Sequence, residues 1–419
     1  MSTPIAEPVR RLSARTRIAA ALGEATSATS RLVGRGGGSV IGARVTLALA
    51  PDALDELAAG RRIAVVSGTN GKSTTTALLA AACSAGGAKV ASNVEGANLR
   101  SGIVALLSGR RARSTDLAVL EIDELALPSL LPSFAAPVIV LLNLSRDQLD
   151  RFGEVRTVAA AWRKALGAQR TTVVANADDP LVVYGAGTAS DVTYVGVGLR
   201  WRQDAASCPN CGRPIRREGH DWWCQCGLRR PQAFELEGNE LVLGEERVTL
   251  RPGVPGHHNV GNAALAVVAA TKLGVPLSVA VGAIGSVTSV AGRYQTITVG
   301  STSARLLLAK NPAGWGELLT MIEGDDRPLI LAINARIADG RDPSWLWDVE
   351  FERLRGRRVV AAGERATDLA VRLRYAEVAC EVWDVPIIEG LQRFDVPEVD
   401  VVANYTVFAD LVRAVGGNP

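Results

Sequence analysis

Residues 63–79, IAVVSGTNGKSTTTALL, restrict the fold of this chain more than any other stretch. A strand-length apolar run passes through a Gly-containing turn into helix formers, the order by which parallel α/β sheets cradle phosphate. Gly68 and Gly71 lack side chains and so let backbone N–H groups converge on phosphate oxygens. The start of the following helix adds its positive partial charge. Lys72 supplies a full charge to the terminal phosphates, and the hydroxyl of Ser73, or of Thr74, can ligate Mg²⁺. The commoner, longer phosphate loop has glycine where this chain has Val66. The turn is therefore a shortened variant running Gly68, Thr69, Asn70, Gly71, Lys72, Ser73, Thr74.

The alternation continues beyond this turn. RRIAVVSG, LAVLEID, PVIVLLNL and TTVVANA are strand-length apolar runs separated by helical stretches, one of them closed by Gly86 and Gly87. This is the pattern of a doubly wound α/β core, a parallel sheet covered by helices. FELEGNELVLGEERVTL alternates and turns like antiparallel ribbon, and NVGNAALAVVAATKLG reads as a buried helix. Near residue 295 a second α/β pattern starts with QTITVG, ARLLLAK, RPLILAIN, RRVVAAG, EVACEVWD and VDVVANY. A chain of 419 residues exceeds one ordinary core. The expected division is an N-terminal segment at 1–57, an ATP-binding domain at 58–295 and a C-terminal α/β domain at 296–419. The first segment holds an Ala-rich helical stretch, a cluster of glycines and the apolar run VTLALA, to which no role is assigned.

A Mg²⁺-bound nucleotide needs a carboxylate at the edge of the sheet where open α/β folds bind ligands. LAVLEIDEL delivers Glu121, Asp123 and Glu124 to a strand end, with Glu121 the first choice for the metal and the other two as substitutes. Of six cysteines, Cys208, Cys211, Cys224 and Cys226 fall in CPNCGRPIRREGHDWWCQC, so an insertion at about 205–230 is expected to form a structural zinc ribbon. The second pair is C-x-C, which leaves His220 as an alternative ligand, and Arg216, Arg217, Arg229 and Arg230 are expected on a solvated face. Such sparse cysteines suit a reducing compartment. Forty-six basic against 43 acidic side chains give a formal +3, too little to point to nucleic acid. No run of about 18 apolar residues suggests a transmembrane segment, and no secretory leader is visible.

GTNGKST, LEIDE, NLSRDQLDRFGE, NADDP, GHHNVGNAALA and AGRYQ occur between residues 63 and 295. In that order they resemble the Mur ligase superfamily, the ATP-dependent amide-bond formers that include the muramyl ligases and folylpolyglutamate synthase. The resemblance implies ATP and Mg²⁺ as cofactors, with Lys72, Ser73, Glu121, Asn259 and Asn262 at the nucleotide and Arg293 reaching phosphate from the domain junction. It places Asn176 and Asp179 near the nucleotide, with loop capping as an equal alternative. Lys164 falls where several of these ligases carry a carbamylated lysine bracing a second Mg²⁺, with a plain amphipathic-helix lysine as the other reading.

Three departures narrow the resemblance: Gln148 replaces the histidine of D-H-L-D, Lys310-Asn311-Pro312 stands where D-Y-A-H-x-P opens the last domain, and the cysteine block interrupts the middle. With NARIADGRDPSWLWDVEFE, these features look like the MurT family, whose members amidate the D-glutamate α-carboxylate of lipid II to D-isoglutamine through an acyl phosphate. The resemblance implies action in the cytoplasm at the inner face of the membrane. It also implies an aspartate that serves a partner glutaminase, matched first by Asp348 and second by Asp342. Cys83 and Cys380 lie in a helical and a strand run away from any spare histidine, so ammonia is expected from a separate GatD-like glutaminase subunit. An amino-acid-adding Mur or folylpolyglutamate synthase-type ligase is the alternative, and a zinc-ribbon nucleic-acid-binding ATPase a more distant one.

Overall fold

The computed structural model describes residues 12–32, 39–93, 97–109, 111–147, 155–198, 201–290 and 294–416. Two sheets organise them. The first has nine strands in the order β11-β10-β9-β6-β5-β4-β1-β3-β2, namely Glu246–Thr249, Glu240–Leu243, Phe234–Glu237, Asp191–Gly196, Thr172–Asn176, Val138–Leu141, Arg62–Ser67, Leu117–Ile122 and Val90–Ser92. Strands β2 to β6 and β9 run parallel with β1, while β10 and β11 fold back antiparallel, so the expected ribbon at 234–250 extends this sheet. The second sheet runs β12-β13-β17-β14-β15-β16, from Tyr294–Val299, Thr302–Leu308, Glu398–Ala403, Leu329–Ala332, Val359–Ala362 and Cys380–Val382. It is parallel except for the β12–β13 hairpin. β7 (Arg216–Glu218) and β8 (Asp221–Trp223) form a separate two-stranded ribbon.

Strand alternation divides the core of the first sheet into two layers. Ile63, Val65, Leu120, Ile139 and Val173 face one way, onto Trp162 and the N-terminal helices α1 (Ala14–Leu32), α2 (Ser39–Leu49) and α3 (Ala53–Ala58). Ala64, Val66, Val119, Val140 and Val174 face the other, onto α4 (Lys72–Ala85) and the helix His257–Lys272. Val66 therefore packs under the helix that leaves the nucleotide turn, which gives the missing glycine of the longer phosphate loop a packing reason. The helix His257–Lys272 is apolar nearly all round because it is sandwiched between α4 and the sheet. VTLALA lies almost wholly within α2, where Thr46 is buried and Leu47 packs inward at the contact with α1 and with α5 (Arg100–Ser108), while Leu49 is exposed.

Candidate active site

The nucleotide turn leaves β1 where the strand order reverses, with β3 on one side and β4 on the other, the position at which open α/β sheets bind ligands. Gly68 has φ +144° and Gly71 φ +85°. A Cβ on Gly71 would lie 2.6 Å from Asn262 Oδ1, so only glycine lets the turn rest against the helix His257–Lys272. The residues following β4 brace the other side. Asn143 Oδ1 accepts the Asn70 N–H at 2.9 Å, Asn143 Nδ2 donates to the Asn70 carbonyl at 3.0 Å, and the Ser145 N–H donates to Thr69 Oγ1 at 3.1 Å. The turn is thus held in shape by the protein, with Ser73 and Thr74 buried in the first turn of α4.

Lys72 is buried, and its Nζ donates to the Gly68 and Thr69 carbonyls at 2.5 and 3.1 Å and to Glu124 Oε2 at 2.8 Å. Burial works against the ammonium, but Glu124 and Glu121 outweigh it and hold Lys72 above the ordinary lysine range. At Glu124 burial favours the neutral acid, yet Lys72 and then Lys310 overcome it and hold the carboxyl below its usual range. Asp123 is pushed up by burial and by Glu124, and its Oδ1 accepts the Leu125 N–H at 3.0 Å.

Glu121 differs from both neighbours. It is fully buried and neither carboxylate oxygen has a hydrogen-bond partner, while its backbone is clamped by Asn93 at 2.7 and 2.8 Å. A buried carboxylate without donors is costly, and a cation is its natural complement. Val66 of β1 pairs with Glu121, and Ser73 opens the helix that leaves β1 at the same sheet edge, so these two donors fit a hard divalent ion such as Mg²⁺.

A pocket spreads from the turn between the two sheets, lined by Asn70, Gly71 and Thr74, by His257, Asn259 and Asn262, and by the C-terminal Leu307 and Met321. Asn262 Nδ2 donates to Asn259 Oδ1 at 3.1 Å, and Asn259 Nδ2 to the Pro255 carbonyl at 2.6 Å. His258, in the same wall, is pushed down to about 4 by burial and by His257. Asn176 and Asp179 line the pocket and also cap loops. Asn176 Nδ2 donates to the Leu142 carbonyl at 2.9 Å, and Asp179 Oδ1 accepts the Leu181 N–H at 2.8 Å to start the helix Pro180–Ala186. Burial pushes Asp179 up to about 6, although it also accepts the Leu144 N–H at 2.8 Å.

The four cysteines gather as expected, all Sγ atoms lying within 4.8 Å of one another. Cys208 and Cys226 are 3.6 Å apart and Cys211 and Cys224 3.4 Å. Four sulfurs at tetrahedral zinc distances of ~2.3 Å stand ~3.8 Å from one another, so the set fits zinc. Two backbone turns shape it, with the Cys208 N–H on the Arg213 carbonyl at 2.8 Å and the Cys224 N–H on the Leu228 carbonyl at 2.7 Å. His220 is exposed and stands outside the cluster. The expectation of a solvated basic face holds for Arg216 and Arg229 and is corrected for the other two arginines. Arg230 is bound to Asp178 at 2.8 Å and to Glu235 at 2.7 Å. Arg217 is half-buried on the wall of the pocket, facing Asp179 and donating to the Ala205 carbonyl at 3.3 Å. Spacing within the ribbon carried no sign of this, because Arg217 reaches the pocket only once the ribbon is seated on the Ala177 carbonyl through Trp222 Nε1 at 3.0 Å.

The C-terminal residues that replace D-Y-A-H-x-P close on the turn. Asn311 Oδ1 accepts from Asn70 Nδ2 at 3.3 Å, and Asn311 Nδ2 donates to Asn70 Oδ1 at 3.1 Å. Asn311 also caps the helix Pro312–Met321 through the Gly314 N–H at 2.9 Å, and Lys310 pairs with Asp147. Beside them a smaller cleft is lined by Arg146, Asp147, Lys310, Asp339, Asp342 and Asp348. Asp348 is bound to Arg146 at 3.1 Å, while both oxygens of Asp342 accept from Ser344 at 2.9 Å. Lys164 is exposed in the last turn of the helix Val155–Leu166 and lies outside the pocket lining. The buried position on that helix belongs to Trp162, whose Nε1 donates to the Glu124 carbonyl at 2.8 Å. Arg293 and Gln148 lie outside the described residues.

The chain matches the model of the Mur ligase middle domain over residues 66–270 and that of the MurT ligase C-terminal domain over residues 308–408. A lipid II isoglutaminyl synthase (glutamine-hydrolyzing) subunit MurT from Staphylococcus aureus strain N315 is 31% identical over 387 residues, 86% of each chain. The subunit of the same name from Streptococcus pneumoniae is 30% identical over 415 residues, covering 90% of this chain and 92% of that one. Among solved structures, a pseudomurein peptide ligase type C from Methanothermus fervidus superposes with TM-score 0.64 at 18% identity, over 85% of this chain and 78% of that one. MurF from Acinetobacter baumannii gives 0.63 at 16%, over 88% and 80%. The structural likeness shows a Mur ligase fold, and the sequence identity, sustained over both matched domains, shows that the chain belongs to the MurT family.

Proposed function

We propose that this chain is the ATP-dependent ligase subunit of a lipid II isoglutaminyl synthase, amidating the D-glutamate α-carboxylate of the lipid II stem peptide during peptidoglycan synthesis. The observation that carries the reading is the buried, partnerless Glu121 carboxylate next to a preformed phosphate turn that the C-terminal domain closes through Asn311. In this reading residues 58–295, with the ribbon at about 205–230, bind nucleotide and 296–419 complete the site. Glu121 and Ser73 would hold Mg²⁺, which would supply charge neutralisation at the phosphates. The Gly68–Thr74 backbone and Lys72 orient the triphosphate, and Asn259 and Asn262 face the remainder of the nucleotide. Lys72, held by Glu124 at 2.8 Å, exchanges that carboxylate for phosphate oxygens when nucleotide enters, because both partners are anionic. A substrate carboxylate oxygen then attacks the γ-phosphorus as ADP leaves, and ammonia displaces phosphate from the acyl carbon, losing a proton to form the amide.

Ammonia comes from a glutaminase subunit in this proposal. Burial pushes Cys83 up to about 11 and raises Cys380 as well, so neither is an activated thiolate. Asp348, tied to Arg146 at the junction cleft, is the residue offered to the partner's site. Asp342 serves its own loop through Ser344. Action at the inner membrane face follows from the lipid-linked substrate.

The test incubates the chain with ATP, lipid II and ammonium, with and without the glutaminase, and reads carboxyl-to-carboxamide conversion by mass spectrometry. Amide product from ammonium alone is expected. Addition of an amino acid instead, or no amide with ammonium saturating, would sink the reading. Asp348→Asn is expected to abolish the glutamine-dependent reaction and spare the ammonium-dependent one.

A further inference from the structure

The helices α1 and α2 remain outside the nucleotide chemistry. They pack chiefly on each other, and α2 in turn on α5, so that α1 is the outermost layer of the first sheet's helical side. Their inward positions are small or polar: Thr16, Ala19, Ala20, Ala43 and Thr46 are buried, and Thr46 Oγ1 lies 3.3 Å from the Ala19 carbonyl. Leu47 packs against the core, while several other large apolar residues point the other way. Ile18 is 62% exposed and Leu22 49%, four residues apart on one arc of α1, with Ile41 and Leu49 exposed on α2. An ordinary surface helix places such residues inward.

Charge is concentrated in the same stretch of the sequence. Residues 10–50 hold seven arginines and one glutamate, which leaves the rest of the chain slightly acidic although the whole carries only +3. Arg15 and Arg17 are exposed on α1, three residues and one residue from Ile18, and Arg44 is exposed on α2, three residues from Ile41. Basic residues around exposed aliphatic ones form the pattern of a helix that lies in an anionic bilayer surface, where apolar side chains enter the headgroup boundary and arginines meet lipid phosphates. A nucleic-acid face would want aromatic or polar side chains in place of Ile18 and Leu22. No described helix is long and apolar enough to cross a membrane, so contact would be peripheral.

We propose that the α1–α2 hairpin is a membrane-contact surface that docks this protein onto anionic lipid. The proposal stands on the hairpin alone, and its test uses neither ATP nor lipid II, so its failure leaves the amidation reading untouched.

Co-sedimentation of the full chain with vesicles checks it, alone and with its glutaminase subunit. Pelleting with equimolar phosphatidylglycerol and phosphatidylcholine is expected, with little on phosphatidylcholine alone and release as salt screens the charge. Arg17→Glu with Arg44→Glu is expected to weaken binding about tenfold or more. Ile18→Ser with Leu22→Ser is expected to weaken it at constant charge, with circular dichroism and thermal melting unchanged in both variants. Equal binding to neutral vesicles, no binding to anionic ones, or unchanged binding in the folded charge-reversed protein overturns the proposal. So does loss of glutaminase association with vesicle binding intact, which would make the hairpin a subunit interface.

Discussion

At the scale of single residues, the site is governed by which acids have partners. Glu124 is neutralised by Lys72, whereas Glu121 is buried without a donor. Lys72→Ala is expected to abolish ATP turnover. It also strands Glu124, a loss of about 3 kcal/mol typical of a broken buried pair, which adding Glu124→Gln should largely restore without restoring turnover. Urea unfolding of the single and double variants checks this. Glu121→Gln is expected to lower turnover by about a hundredfold or more, with weaker Mg²⁺ dependence and no stability penalty, since it removes a buried charge. His258 gives a pH signature. Its folded value of about 4 lies below the ordinary 6.5, so the unfolded chain takes up the proton first. Its contribution to stability is complete above 6.5 and is lost as pH falls toward 4. A His258→Gln variant should show a flatter stability profile over that window.

At the scale of elements, the cysteine block was legible from its spacing, but its role in the pocket was not. The ribbon is joined to the nucleotide domain by Trp222, which is buried and donates from Nε1 to the Ala177 carbonyl at 3.0 Å, and it presents Arg217 to the pocket. Among the described residues no carboxylate lies within ion-pair distance of Arg217, and Asp179 opposite is occupied by backbone N–H groups. Arg217→Ala is expected to weaken nucleotide binding about tenfold, the value of one charge-assisted contact. Isothermal titration with a non-hydrolysable ATP analogue checks it, and unchanged affinity would make the arginine purely structural. Zinc removal by a chelator, or Cys208→Ser with Cys224→Ser, should loosen the ribbon, lower Tm and weaken nucleotide binding in parallel. Zinc content equal in the variant and the parent would rule against the metal site.

Across the whole molecule, the junction between the two sheets assembles the site. Asn311 caps its own helix and pairs with Asn70 of the turn, so one side chain serves both folding and closure. Asn311→Ala is expected to destabilise the C-terminal sheet region by about 1 kcal/mol through the lost cap and to raise the KM for ATP more than it lowers kcat, as steady-state kinetics would show. The sequence by itself determined the strand–turn–helix of the phosphate-loop pattern, the parallel sheets, the cysteine cluster and the acidic strand end. Those are local patterns, set by side-chain period, turn chemistry and ligand spacing within a few residues. Tertiary structure alone decided which carboxylate stays without a partner, that Trp162 rather than Lys164 takes the buried place on its helix, that Arg217 enters the pocket, and that Asn311 meets Asn70 across 241 positions. Each of these depends on which surfaces of distant segments are buried against one another, and burial and pairing are properties of the packed chain that no local spacing encodes.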